Sequence, residues 1–145
     1  MPNNKSRPYD LVLSIDDNQI DRYICGTIVE KFNFAKKVIE FDMATKALEY
    51  LSENLHIPEN IPQIIFLDIN MPVMSGFDFL NEISKFPIII QKTCCIVMLT
   101  SSVNPDDLDR AKNNAIVKDY ITKPLNKEKL DDVENLFNSN FTNTE

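Results

Sequence analysis

The stretch Ile64–Leu80, IIFLDINMPVMSGFDFL, decides the fold. Its first four residues are an unbroken apolar run, which reads as a core strand. The run ends on a carboxylate, Asp68. Met71-Pro72 and Gly76 then supply turn chemistry. Phe77, Leu80 and Ile83 follow at helical spacing, with Pro87 near that helix's end. A core strand running into a helix is the repeating unit of an α/β sheet. An acid at the end of such a strand is costly unless something positive compensates it. The stretch therefore sets the fold and raises a chemical question.

Outward from it, the same alternation repeats. Leu11–Ile15 (LVLSI), Lys37–Phe41 (KVIEF), Ile64–Ile69, Cys95–Leu99 (CIVML) and Val117–Thr122 (VKDYIT) read as five strands. Ile20, Ile24 and Ile28, with Tyr23 and Thr27, mark a helix after the first strand, capped by Asp17 or Asn18. Ala44, Ala47, Leu48, Leu51 and Leu55 mark the next. Asn104-Pro105-Asp106-Asp107 is a helix start: a capping Asn, Pro at the first helical position and acids in the first turn. Leu130, Val133, Leu136 and Phe137 mark the last helix. Five strand–helix alternations in 145 residues predict one α/β domain with a parallel sheet.

Composition excludes several functions. The net charge of -7 disfavours direct binding to a phosphate backbone. Two glycines cannot build a G-x-G-x-x-G fingerprint or a Walker loop. One histidine, His56, rules out a multi-His zinc site. Three cysteines, two of them adjacent, do not suggest a disulfide framework and read as reduced core thiols in a cytoplasmic protein. No segment has the length and apolarity of a membrane span, and MPNNKSRPYD lacks the apolar core of a secretory signal.

In an open parallel sheet, ligands sit beyond the carboxyl ends of the strands. The strand ends collect Asp16 and Asp17, Asp68, Thr100 and Lys123 on that rim. Singly, each reads as a turn, a cap or a solvated strand end. Together, three carboxylates repel one another unless one gains a proton or a cation enters. Hard oxygen ligands select Mg²⁺, or Mn²⁺. Lys123 adds a second positive charge and Thr100 a hydroxyl, an inventory suited to a phosphoryl group. A carboxylate such as Asp68 can act as nucleophile and form an aspartyl phosphate.

This ordered set resembles the receiver domain of two-component response regulators. The resemblance is carried by "LSIDDN", "IFLDINMPVMSG", "VMLTSS" and "DYITKPL", and spans roughly Asp10 to Phe137. It implies a doubly wound (βα)5 flavodoxin-like fold, with five parallel strands in the order 2-1-3-4-5 and helices on both faces. Residues 1–9 would be a flexible N-terminus, 10–138 the receiver domain and 139–145 a frayed tail. With no output domain after Phe137, the chain resembles a single-domain response regulator.

The resemblance also implies roles. Asp68 would accept a phosphoryl group from a phosphohistidine on a sensor histidine kinase or a histidine phosphotransfer protein. Asp17 would bind Mg²⁺ directly, Asp16 would help, often through water, and Asp68 and the Asn70 backbone carbonyl would complete the protein ligands. Lys123 would pair with Asp68 or with the phosphoryl oxygens, and the Lys123–Pro124 bond would be cis. Thr100 and Tyr120 would switch the surface read by a downstream protein target. Such a chain is a signalling receiver whose own chemistry is phosphoryl uptake and slow autodephosphorylation. Where the family often has Gly-Ala before the fifth strand, this chain has Asn113-Asn114-Ala115-Ile116, a departure from which that connection is expected to take its own shape. Two alternatives stand beside this reading: a phosphorylation-independent adaptor of the same fold, and an aspartyl-phosphate phosphatase, which the adjacent first-strand acids disfavour.

Overall fold

The computed structural model describes residues 9–101 and 104–142, with side chains described through residue 137. Five parallel strands form one sheet in the order β2-β1-β3-β4-β5. They are β1 (Tyr9–Ile15), β2 (Ala35–Phe41), β3 (Ile64–Asp68), β4 (Cys95–Thr100) and β5 (Val117–Thr122). The expected doubly wound topology is therefore present.

Alternation along the strands splits the core into two layers. Leu13, Ile15, Ile65, Leu67, Ile96 and Met98 face one side. There they meet α2 (Ala44–Glu53), α3 (Gly76–Ile83), α4 (Ile88–Thr93) and α5 (Pro105–Lys112). Val12, Ile64, Phe66, Val97, Leu99 and Ile121 face the other. There they meet α1 (Gln19–Lys31) and α6 (Lys127–Thr142). Both faces of β3 are covered, which is why its sequence reads as a continuous apolar run.

Among the described residues, the first strand and the last helix reach beyond the bounds read from the sequence. The sequence reading ends the N-terminal segment at residue 9, yet Tyr9 is the first residue of β1 and is buried. Its ring packs against Phe34 at 4.8 Å and edge-on against Phe137 at 5.2 Å between centroids. That burial is reason enough to extend the strand. The last helix continues through Thr142, into the segment expected to fray; residues 143–145 lie outside the described residues.

Two helices depart from expectation. On α1 the predicted apolar face of Ile20 and Tyr23 is exposed, at 69% and 71%, while Cys25 and Val29 are buried. The core-facing stripe is rotated from the Ile20-Ile24-Ile28 row. The short helix α4 was not expected at all. Pro87 precedes it, and of its three isoleucines only Ile90 is buried. By contrast, Asn104 caps α5 as predicted, accepting from the backbone of Asp106 at 2.9 Å and Asp107 at 3.3 Å.

The connection before β5 is a turn built on Asn114. The Asn114 side chain accepts from Ile116 N at 3.2 Å, and its carbonyl accepts from Val117 N at 3.1 Å. Asn114 thereby closes the turn, and Ile116 is buried beneath it.

Candidate functional site

Register brings the strand ends to one crest. Ile15 pairs with Leu67, so Asp16 and Asp68, the residues that follow, stand side by side on adjacent strands. Thr100 pairs with Thr122, so Lys123 follows at the same height on β5. Lys123 N donates to Thr100 O at 2.7 Å, which fixes the backbone from which the lysine side chain reaches inward. The Lys123–Pro124 peptide is cis.

The three carboxylates Asp16, Asp17 and Asp68 can present oxygens all within 4.8 Å of one another. Asp16 and Asp68 are buried; Asp17 is exposed. Lys123 Nζ lies 2.8 Å from Asp16 Oδ2 and 3.1 Å from Asp68 Oδ1. The cation beside Asp68 is Lys123.

Asp16 is held from several directions. Its Oδ1 accepts from Asn18 N at 2.9 Å, and its carbonyl accepts from Arg22 Nη1 at 2.7 Å. Asn18, not Asp17, caps α1, accepting from Asp21 N at 3.0 Å. Asp17 is left on the solvent side of the crest.

Burial pushes the Asp68 carboxyl up to about 6; the charge on Asp16 pushes the same way, and Lys123 opposes both. For Lys123, burial alone would lower its pKa. The bonds to Asp16 and Asp21 and the charge on Asp68 outweigh burial, and the ammonium stays protonated well above the usual lysine range.

The loop after β3 is closed by Gly76, whose N–H donates to Ile69 O at 2.8 Å. A Cβ there would stand 2.6 Å from the Asp68 carbonyl oxygen, so only glycine fits against this backbone. Asn70 lies in that loop, two residues past Asp68, and is exposed. Ser75 and Asp78 then start α3 with a reciprocal capping box, both bonds at 3.1 Å.

Thr100 is buried at the end of β4. Tyr120 lies two strand residues before Thr122, on the α5 side of β5. Its hydroxyl is buried and finds no hydrogen-bond partner among the described residues. Tyr120 lines a cavity of about 180 Å³ with Leu108, Ala111, Lys112 and Val117. Ser102, two residues past Thr100 in the stretch VMLTSS, lies outside the described residues.

One residue of the site was not legible beforehand. Asp21, on the first turn of α1, places Oδ2 2.8 Å from Lys123 Nζ. In sequence it reads as an acid suited to a helix N-terminus. The signal that finds it is the true buried stripe of α1. Asp21, Cys25 and Val29 are spaced by four, so Asp21 is the rim end of the core-facing row.

Comparison with known proteins assigns the fold to a family. A family profile described as the response regulator receiver domain matches residues 12–134. The chain belongs to the response regulator receiver family. It is 31% identical over 127 residues to two-component response regulator ORR13 of Oryza sativa subsp. japonica, covering 88% of this chain and 94% of that one. It is 34% identical over 128 residues to sensor histidine kinase CheAY of Helicobacter pylori, covering 88% of this chain but 15% of the kinase. Among solved structures, a two component response regulator from Cytophaga hutchinsonii superposes with a TM-score of 0.83 at 27% identity. That match covers 90% of this chain and 98% of the other. Receiver domains are signalling modules of two-component systems, and this chain is one. Among the described residues, no helix is long and apolar enough to cross a membrane.

The crest fits the divalent cation that the family implies. Its donors are all hard carboxylate oxygens, with neither Cys nor His among them. Lys123 supplies one positive charge against the three acids. Both Asp16 oxygens already have protein partners, whereas Asp17 is open to solvent.

Proposed function

We propose that this receiver takes a phosphoryl group onto Asp68 from a phosphohistidine of a sensor histidine kinase or a histidine phosphotransfer protein. An Asp68 oxygen forms the new bond to phosphorus. The P–N bond breaks, and its electron pair stays on the imidazole. The observation that carries this reading is the Lys123 ammonium set between Asp16 and Asp68, 3.1 Å from the nucleophile. It lies within reach of oxygens attached at Asp68 and can meet their charge in a buried site.

Asp17 would hold Mg²⁺ directly, with Asp68 and the Asn70 carbonyl, and Asp16 would contribute through water. When bound, the metal would supply charge against the transferred oxygens. The exposure of Asp17 and the occupied oxygens of Asp16 support that division. Thr100, buried on the neighbouring strand end, would donate its hydroxyl to the phosphoryl group. Tyr120 would follow into the altered packing, and its buried, unsatisfied hydroxyl marks a side chain with reason to rearrange. A protein target that prefers the second arrangement would bind it more tightly. The free cysteines Cys25, Cys94 and Cys95 support a reducing, cytoplasmic setting.

The test is incubation of the full chain with Mg²⁺ and acetyl phosphate, read by intact mass and by peptide mapping after borohydride trapping. One phosphoryl group on Asp68, absent from Asp68→Asn, is the expected result. Labelling that survives Asp68→Asn would move the site elsewhere.

A further inference from the structure

The proposed chemistry gives Asp16, Asp17, Asp68, Thr100 and Lys123 a task, and Asp21 none. Yet Asp21 Oδ2 is 2.8 Å from Lys123 Nζ, as close as Asp16 Oδ2 and closer than Asp68 Oδ1 at 3.1 Å. An ammonium has three N–H donors. Three carboxylates, Asp16, Asp21 and Asp68, crowd this one nitrogen, and its contact to Asp21 is a hydrogen bond at 2.8 Å. Asp16 is locked by Asn18 N and Arg22 Nη1. Asp21 sits nearer solvent, its side chain 31% exposed, and among these three it is the acceptor with no part in the crest of strand ends.

We propose that Asp21 is a competing anchor for the Lys123 ammonium, holding it partly off Asp68 and slowing phosphoryl uptake. This deepens the Asp68 reading above and rests on it. With acetyl phosphate as donor, an Asp68 oxygen bonds phosphorus, the bond from phosphorus to the acetyl oxygen breaks, and the electron pair leaves with acetate. No proton has to move. The donor arrives as an anion, and its oxygens need N–H groups from Lys123. Asp21 opposes both requirements. Its charged oxygen and that of Asp68 reach the same nitrogen, so they lie no more than about 6 Å apart, where like charges still act. Its hydrogen bond also occupies a donor that the phosphoryl oxygens would use.

The experiment measures initial rates of Asp68 labelling in the full chain with Mg²⁺, using acetyl phosphate and the less charged phosphoramidate. Asp21→Asn keeps the shape and removes the charge. It should speed labelling by acetyl phosphate roughly three- to tenfold, allowing for partial solvent screening. The gain should be smaller with phosphoramidate and should shrink as salt is added. Asp21→Glu should label at close to the wild-type rate. An unchanged or slower rate in Asp21→Asn overturns the proposal, as does a gain insensitive to salt. Failure of the wild-type chain to label with either donor would instead remove the Asp68 reading itself.

Discussion

The Lys123 ammonium stands 3.1 Å from the Asp68 carboxylate, and the two are buried together, with side-chain exposures of 13% and 8%. Lys123 compensates Asp68 without fully offsetting its burial, since the carboxyl still titrates at about 6. An unfolded aspartate titrates at about 3.9. Between those values the folded chain holds a proton that the unfolded chain has lost. Stability therefore rises as pH falls from about 6 toward about 4, and at neutral pH the ionised Asp68 costs stability. In chelator-treated protein, Asp68→Asn should raise the unfolding free energy near neutral pH by on the order of 1–3 kcal/mol. It should also flatten this limb of the pH profile. Urea midpoints across that range check both; a less stable variant would mean that Asp68 is fully compensated.

Removing the cation should do the opposite. Lys123→Met keeps the aliphatic stem but leaves Asp16 and Asp68 buried beside each other without it. Breaking one side of a buried ion pair costs roughly 3–5 kcal/mol. The loss should be smaller in acid, where Asp68 is protonated. Urea unfolding at neutral and acid pH measures this. A loss equal at both would place the effect in packing, not charge.

Metal binding should separate the two first-strand acids. Asp17 is exposed, so Asp17→Asn should change metal-free stability by no more than about 0.5 kcal/mol. Added Mg²⁺ should stabilise the wild-type chain in a concentration-dependent way, by about 2.7 kcal/mol at a hundred times the dissociation constant. Most of that gain should vanish in Asp17→Asn. Thermal melts over a Mg²⁺ series, with a Ca²⁺ series for comparison, decide it.

How much of this was readable in the sequence follows from what each residue's neighbours reveal. β3 and β4 are apolar runs because both their faces are covered, and runs of that kind are visible in one dimension. Asp16, Asp17, Asp68, Thr100 and Lys123 were legible because each stands at or just past the end of such a run, and parallel topology does the rest. Asp21 was not, because it is on a helix, where facing depends on a rotation that the isoleucines of α1 misstate. Ile20 and Tyr23 are exposed despite their apolarity. Reading Ile20-Ile24-Ile28 as the core face turns Asp21 away from the rim. Helix α4 was hidden for a related reason: Ile88-Ile89-Ile90 is too short a run for periodicity to separate helix from strand.

The turn between Asp68 and Gly76 holds a backbone strain that only the structure reveals. Met74 N donates to Pro72 O at 2.8 Å across Val73, whose φ is 71°. A bond from residue i+2 back to residue i over a positive central φ is the strained form of the γ-turn. For a β-branched residue that φ is a true outlier, costing of order 1–3 kcal/mol. The Val73 side chain gains little packing in return, since the residue is 83% exposed. Glycine enters this region with no Cβ penalty, at the cost of more freedom in the unfolded chain. Val73→Gly should therefore stabilise the protein by about 1 kcal/mol, the strain relieved less the added unfolded-state freedom. Labelling of Asp68 should stay at its wild-type rate, because the bond from Gly76 N to Ile69 O closes the loop against the Asp68 backbone without involving Val73. Thermal melts and acetyl phosphate labelling of the same preparation test the pair of outcomes. A more stable variant that labels several-fold more slowly would mean that the strain at Val73 helps to hold the phosphoacceptor loop in its working shape.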